Sequence, residues 1–273
     1  VTVPGRITVI GLGLMGGSLA RALAGAGRVA GWSPEAGERE ALGEVGVHAP
    51  ASLREALEGA DGVVLATPLA AVRDLLSMVL EVAPEAWVTD VASLQLPPLR
   101  WARAAGMEER YATSHPMTGG EASGFAASRA DLYRDAPVWV SSTPGCDPEV
   151  RTAVGGLWTG LGARPRDVDA ERHDRRMACV SHLPQVVATH LAALLADRDV
   201  GPTELGPGGR DTTRLAGSDP RMWRDILALA GPAASEDLRD LARRLESEAD
   251  RLARGDASTF AEVLDRTRTW RRT

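Results

Sequence analysis

Residues 7–18 read Ile7-Thr8-Val9-Ile10-Gly11-Leu12-Gly13-Leu14-Met15-Gly16-Gly17-Ser18, and no other stretch restricts the fold as tightly. A β-branched, apolar run passes directly into glycines spaced as G-x-G-x-x-G, and residues 20–27 then have helical character. In a strand–turn–helix unit each of these glycines has a task. Gly11 permits the tight turn, Gly13 leaves the backbone open to a pyrophosphate, and Gly16 lets the helix approach the strand. The free amides and positive end of the helix complete the anion site. The segment predicts a Rossmann-type unit whose cofactor loop is Gly11, Leu12, Gly13, Leu14, Met15 and Gly16.

Residues 28–33 predict the second strand. NAD sites usually carry Asp or Glu at its end; this chain has Trp32 and Ser33. A missing carboxylate removes repulsion towards a 2′-phosphate, and Arg39 stands close enough in sequence to pair with one. Ser33 and Arg39 therefore tilt the cofactor towards NADP, while Glu35 keeps NAD open. Further strands are expected at 61–67, 87–91, 111–113, 137–142 and 163–168. Helices at 34–45, 52–57, 72–82 and 148–161 lie between them. Ser52 and Glu55 form a capping box. Such alternation implies a mostly parallel sheet covered on both faces. Thr67 and Pro68 close the third strand at the carboxyl edge, where ligands bind, and join the cofactor set.

Beyond about residue 169 the strands give way to helical runs at 171–195, 210–217, 221–229, 235–254 and 256–271, the first interrupted at Pro184. The fold class is therefore an α/β N-terminal Rossmann-type dinucleotide-binding domain, 1–168, followed by an all-α C-terminal domain, 169–273. Leu238, Leu241, Leu245 and Leu252 recur at helical spacing, as do Phe260, Val263 and Leu264. By analogy with two-domain dehydrogenases, these faces predict a homodimer built through the helical domain.

A formal charge of −6 with no basic run argues against nucleic acid. No apolar stretch reaches membrane-spanning length and no leader pattern precedes the first strand, so the expectation is a cytoplasmic protein with no membrane partner. Cys146 and Cys179 lack metal-ligand spacing, and no metal is expected. Among five histidines, His115 and His182 each stand beside Ser and Pro in polar segments, as candidate proton acceptors.

Four segments resemble the prephenate/arogenate dehydrogenase family of tyrosine biosynthesis, in order along the chain. They are the glycine loop, Thr89-Asp90-Val91-Ala92-Ser93-Leu94-Gln95, Ser114-His115-Pro116-Met117-Thr118-Gly119-Gly120-Glu121 and Ser181-His182-Leu183-Pro184-Gln185. A fifth, 208–216 with 218–226, adds to them. The resemblance implies oxidative decarboxylation of prephenate to 4-hydroxyphenylpyruvate, with hydride transfer to NAD or NADP. Arogenate, yielding tyrosine, is the alternative substrate, and a catalytically silent NAD(P)-binding sensor is an alternative class. His115 matches the residue that accepts the ring hydroxyl's proton, and Ser93 one that orients it. Arg214 matches a carboxylate-binding arginine. His182 matches a residue of the substrate pocket, with Ser114 and Gln185 beside it. The chain departs from the family pattern at Ala92, often Gly; at Gln95, often Lys; and at Gln185, often His.

Overall fold

The computed structural model describes residues 5–26, 28–120 and 122–272. The first half alternates strand and helix: β1 (Ile7–Ile10), α1 (Leu14–Leu23), β2 (Val29–Trp32), α2 (Ala36–Glu44), α3 (Leu53–Leu57), β3 (Gly62–Leu65), α4 (Leu69–Val82) and β4 (Trp87–Asp90). These four strands form a wholly parallel sheet in the order β2-β1-β3-β4. Every residue of β1 and β3 is buried, as a parallel sheet covered on both faces requires. The capping box forms as the sequence specifies: the Ser52 hydroxyl accepts from the Glu55 amide, and the Glu55 carboxylate accepts from the Ser52 amide.

The chain continues through α5 (Leu96–Ala104), β5 (Ala112–Pro116), β6 (Pro137–Ser142), α6 (Pro148–Gly160) and β7 (Arg164–Asp167). A parallel bridge between Val88 and Tyr111 joins β5 to the first sheet. The sheet is mostly parallel, as expected: among the described strands only β5 and β6 run antiparallel, and β6 and β7 pair in parallel again. The helix α5 has no counterpart in the expected series, because Leu96-Pro97-Pro98 looks helix-breaking. Proline is tolerated in the first helical turn, where its missing amide is not needed. α1 starts at Leu14 rather than near residue 20. It ends at Leu23 in a short 3₁₀ turn, Ala24–Ala26, and Gly27 lies outside the described residues.

The second half is helical: α7 (Ala170–Met177), α8 (Leu183–Ala196), α9 (Pro207–Thr213), α10 (Pro220–Ala253) and α11 (Ser258–Trp270). α7 and α8 join through one π-helical turn, Ala178–His182, just ahead of Pro184. Widening to π geometry there accommodates the proline's missing amide without ending the helix. The resulting run, Ala170–Ala196, is long and apolar enough by length and composition to cross a membrane, a correction to the expectation that no stretch is. It nevertheless buries His173, His182 and Gln185. The run α10 leaves helical geometry at Gly231, just ahead of Pro232, so it consists of two helices meeting at a kink, in line with the pair expected at 221–229 and 235–254.

Two large clusters form the core on opposite faces of the sheet, one around Tyr133 and Trp158, the other around Leu65, Leu76 and Tyr111. A smaller cluster of Leu69, Ala92, Leu94 and Ile226, with Trp223 against it, seats α10 on the loop after β4. The helical domain is thereby clamped over the carboxyl edge of the parallel strands, where α/β folds hold ligands.

Candidate active site

The glycine loop crosses this edge. Gly11 has φ +91°, and a Cβ there would lie 2.4 Å from the Ala66 carbonyl oxygen. A Cβ on Gly16 would fall 1.8 Å from the Gly11 carbonyl oxygen. Both positions thus demand glycine, one for conformation and contact, the other for contact alone. A Cβ on Gly13 would meet nothing within 4 Å, which leaves an open cradle at the N-terminus of α1. Beside it the buried Thr67 hydroxyl has no hydrogen-bond partner among the described residues. An open backbone cradle, a helix N-terminus and an orphaned hydroxyl fit a dinucleotide pyrophosphate. Of the loop's side chains, Leu12 is fully buried and packs with Leu42 and Phe125, so it supplies backbone only. The Met15 carbonyl accepts from the Tyr133 hydroxyl at 2.7 Å, Leu14 is partly buried against the core, and Pro68 caps α4.

At the end of β2 both premises of the NADP tilt change. Ser33 is buried and donates its hydroxyl to the Glu38 carboxylate at 2.6 Å. A negative charge therefore stands at the strand end after all, delivered from the first turn of α2. Arg39 folds back to donate to the carbonyls of Ser33 at 2.5 Å and Pro34 at 2.9 Å. It braces the turn that carries Ser33.

On the neighbouring strands lies a cluster of titratable groups. His115, on β5, is half-buried, and its Nδ1 is 2.9 Å from Nε2 of His173 on α7. Nδ1 of His173 is 2.8 Å from Asp174 Oδ1. Asp174 also accepts the backbone amides of Gln95 and Leu96, both at 2.9 Å. Burial, reinforced by His173, pushes the His115 imidazole down to about 3, with Asp174 opposing and His182 adding to the depression. His115 is thus neutral at physiological pH, the form able to accept a proton. His182, in the π turn, is also held below its ordinary value by burial. Its Nδ1 is buried without a partner among the described residues, and its ring meets Trp223 edge-on at 5.9 Å.

Asp90, at the end of β4, is completely buried and accepts from the Tyr111 hydroxyl (2.6 Å), the Thr113 hydroxyl (3.0 Å) and the Ala92 amide (2.8 Å). Burial outweighs these donors and raises its carboxyl to about 7. The bond to Ala92 shapes the loop that presents the half-buried Ser93.

Two expected site residues, Ser114 and Gln185, are placed differently. Ser114 is fully buried on the opposite face of β5 from His115, between the Thr89 hydroxyl at 2.8 Å and the Trp158 indole at 2.9 Å. Strand alternation sends it into the core, away from the face that carries His115. Gln185 is buried and donates to the Leu215 carbonyl at 2.7 Å, tethering the short turn Arg214–Gly217. Its amide is thus engaged by the turn that carries Arg214, while the residue also lines a cavity with Thr189, Ser218 and Trp223. Gln95 faces β6, donating to the Trp139 carbonyl and accepting from Ser141, so the lysine-to-glutamine departure falls within the sheet. Arg214 is exposed at the head of its turn. Arg221, also exposed, lies 3.6 Å from Asp219 at the surface, and Trp223 packs in the interdomain cluster. Glu121 lies outside the described residues. Among the described residues no group of three or more His, Cys, Asp or Glu is arranged to hold a metal.

The buried or paired titratable groups given no role from sequence are His173, Asp174, Asp90 and Glu38. Asp90 stands within the Thr89–Gln95 segment, and Glu38 six residues after β2, in the first turn of α2.

Residues 19–166 match the family model described as prephenate dehydrogenase, nucleotide-binding domain, and residues 169–266 match prephenate dehydrogenase, dimerization domain. The chain is 28% identical over 250 residues to a cyclohexadienyl dehydrogenase of Zymomonas mobilis, covering 85% of this chain and 83% of that protein. It superposes on prephenate dehydrogenase from Aquifex aeolicus, solved with hydroxyphenyl propionate and NAD+, with a TM-score of 0.89. There the identity is 25%, over 98% of this chain and 97% of that one. Against arogenate dehydrogenase from Synechocystis the TM-score is 0.81, at 26% identity over 97% and 98% of the two chains.

Proposed function

The chain belongs to the prephenate dehydrogenase family, and from that membership we propose that it oxidatively decarboxylates prephenate to 4-hydroxyphenylpyruvate. The observation that carries this reading is the neutral His115, held at the carboxyl edge of the sheet beside an open dinucleotide cradle. His115 accepts the proton of the ring hydroxyl, and Ser93 orients the His115 ring and touches that hydroxyl or the nicotinamide. Arg214 engages a substrate carboxylate, where a planar guanidinium suits a planar anion, and His182 lines the pocket wall against Trp223. The bound nicotinamide supplies the acceptor for the hydride from the hydroxyl-bearing carbon. Aromatisation drives loss of the ring carboxylate as carbon dioxide, so the protein's task is placement and proton handling. Arogenate is the second reading, favoured by the superposition on an arogenate dehydrogenase.

For the cofactor we propose NAD over NADP, because Glu38, gripped by Ser33, stands where it repels a 2′-phosphate and accepts from a ribose hydroxyl. Fluorescence titration with NADH and NADPH tests this without any turnover. NADH is expected to bind more tightly, and Glu38→Gln to narrow the gap. Equal affinities in the unaltered protein would overturn the cofactor assignment.

We further propose a cytoplasmic homodimer. Leu245, Leu252, Phe260 and Leu264 of α10 and α11 are about half exposed in the single chain, an unpaired stripe suited to a second copy. Both cysteines are free thiols. Product analysis after incubation with prephenate or arogenate decides the substrate; turnover of neither would refute the enzymatic reading.

A further inference from the structure

The contact between His115 and His173 has a directional logic set by Asp174. Backbone amides can only donate, so Asp174, accepting from Gln95 at one oxygen and Leu96 at the other, is held as a carboxylate with acceptor character on both. His173 Nδ1 must then donate to it, across 2.8 Å. A neutral His173 retains a lone pair on Nε2, and the partner of that lone pair, 2.9 Å away, is His115 Nδ1. His115 must therefore carry its proton on Nδ1, leaving Nε2 as the unprotonated nitrogen. The opposite tautomer would put a proton on the nitrogen that has to accept one, and the site would start in the wrong state.

We propose that His173 and Asp174 are positioning residues of a three-member proton relay, Asp174–His173–His115, that fixes the His115 tautomer and takes up charge during turnover. The step balances internally. The substrate hydroxyl proton moves to His115 Nε2 as the hydride leaves the same carbon. The Nδ1 proton of His115 shifts to His173 Nε2, leaving His115 neutral and His173 an imidazolium beside the Asp174 carboxylate. When the carbon–carbon bond to the ring carboxylate breaks, its electron pair aromatises the ring onto oxygen, and the relay returns the proton to that oxygen. The net reaction neither consumes nor releases a proton. The groups facing His115 are His173 and Asp174 from α7 and His182 from the π turn, while Asp90 on β4 faces Asp174. The pair lies at residues 173 and 174, in an arginine-rich stretch with the sequence character of a surface helix, yet His173 is 2% exposed.

The relay rests on the proposed reaction for its chemistry, but its tautomer is visible in the resting protein. With ¹⁵N-labelled histidine, long-range ¹H–¹⁵N spectra of the full chain at neutral pH should show His115 protonated on Nδ1 and bare at Nε2. Asp174→Asn should invert or mix that tautomer. It should also lower kcat on the order of 100-fold, the range of one proton-transfer group, with KM within about threefold, and displace the acid limb of the kcat–pH profile. Because Asp174 also holds two backbone amides, His173→Phe serves as the second variant. It retains a ring of similar size and leaves Asp174 on those amides, and it too should release the tautomer and depress kcat. An Nε2-protonated His115 in the unaltered protein overturns the relay. So does a tautomer and pH limb unmoved in both variants. Inactivity of the unaltered protein on both substrates would refute the reaction instead, while the spectra still judge the hydrogen-bond chain.

Discussion

Acidification should cost the native protein free energy at His115 specifically. Burial and His173 take this imidazole from 6.5 to about 3. For a base depressed in the folded state, nothing is lost above the unfolded value, because both states are neutral there. Below about 6.5 the unfolded chain binds a proton that the native site refuses, so stability falls with pH until the folded value is reached. At pH 5 the gap from the unfolded value is about 1.5 units, which corresponds to about 2 kcal/mol. His115→Gln removes the ionisation and keeps a polar side chain. Urea unfolding of both proteins at about pH 7.5 and pH 5 should show the unaltered chain losing about 2 kcal/mol more than the variant. Asp90 acts in the opposite direction. Its carboxyl is raised to about 7, so acidification from there towards the unfolded value favours the native state, but it does so in both proteins and cancels. Parallel stability–pH curves for the two proteins would refute the assignment of a desolvated, neutral His115.

Asp90→Asn should flatten the stability gain that Asp90 contributes between about pH 7 and pH 4, seen as a variant whose relative stability improves as pH rises; an unchanged difference across that range would count against a protonated buried carboxyl. Gly16→Ala drives a methyl into the Gly11 carbonyl; it should destabilise by about 1–3 kcal/mol and weaken NADH binding in a titration. Gln185→Leu removes the donor to the Leu215 carbonyl, and steady-state kinetics should show KM rising more than kcat falls, since Arg214's turn loses its tether. Ser52→Ala breaks a capping box remote from the site; it should cost about 1 kcal/mol in urea unfolding and leave kcat unaltered.

Local sequence signals were sufficient wherever one segment sets its own geometry. The run from Ile7 to Gly16, the Ser52–Glu55 box and the buried strand Gly62–Leu65 are legible because propensity, pattern and packing agree there. β5 shows the limit. From sequence it ends near Thr113, but in the structure it extends to Pro116, and strand alternation then sends Ser114 and His115 to opposite faces. Leu245 and Phe260 recur at helical spacing as apolar face positions, yet in the single chain both are more than half exposed. His173 and Asp174 became visible only through tertiary contact. Their helix is charged along its length, and its pairing with His115 and with the amides of residues 95 and 96 spans 58 to 79 residues. Glu38 is not legible from sequence because Glu35 stands nearer the strand end, and only the turn of α2 brings Glu38 back onto Ser33.

In the proposed reaction His115 accepts a proton while a hydride and carbon dioxide leave one substrate. The most direct measurement incubates the protein with prephenate and NAD and quantifies reduced cofactor, carbon dioxide and 4-hydroxyphenylpyruvate together, for the unaltered chain and for His115→Asn. Equimolar formation of all three by the unaltered chain is expected, with the variant slowed on the order of 100-fold or more while NADH binding stays nearly intact. Undiminished turnover in His115→Asn, or reduced cofactor without carbon dioxide, would contradict the account.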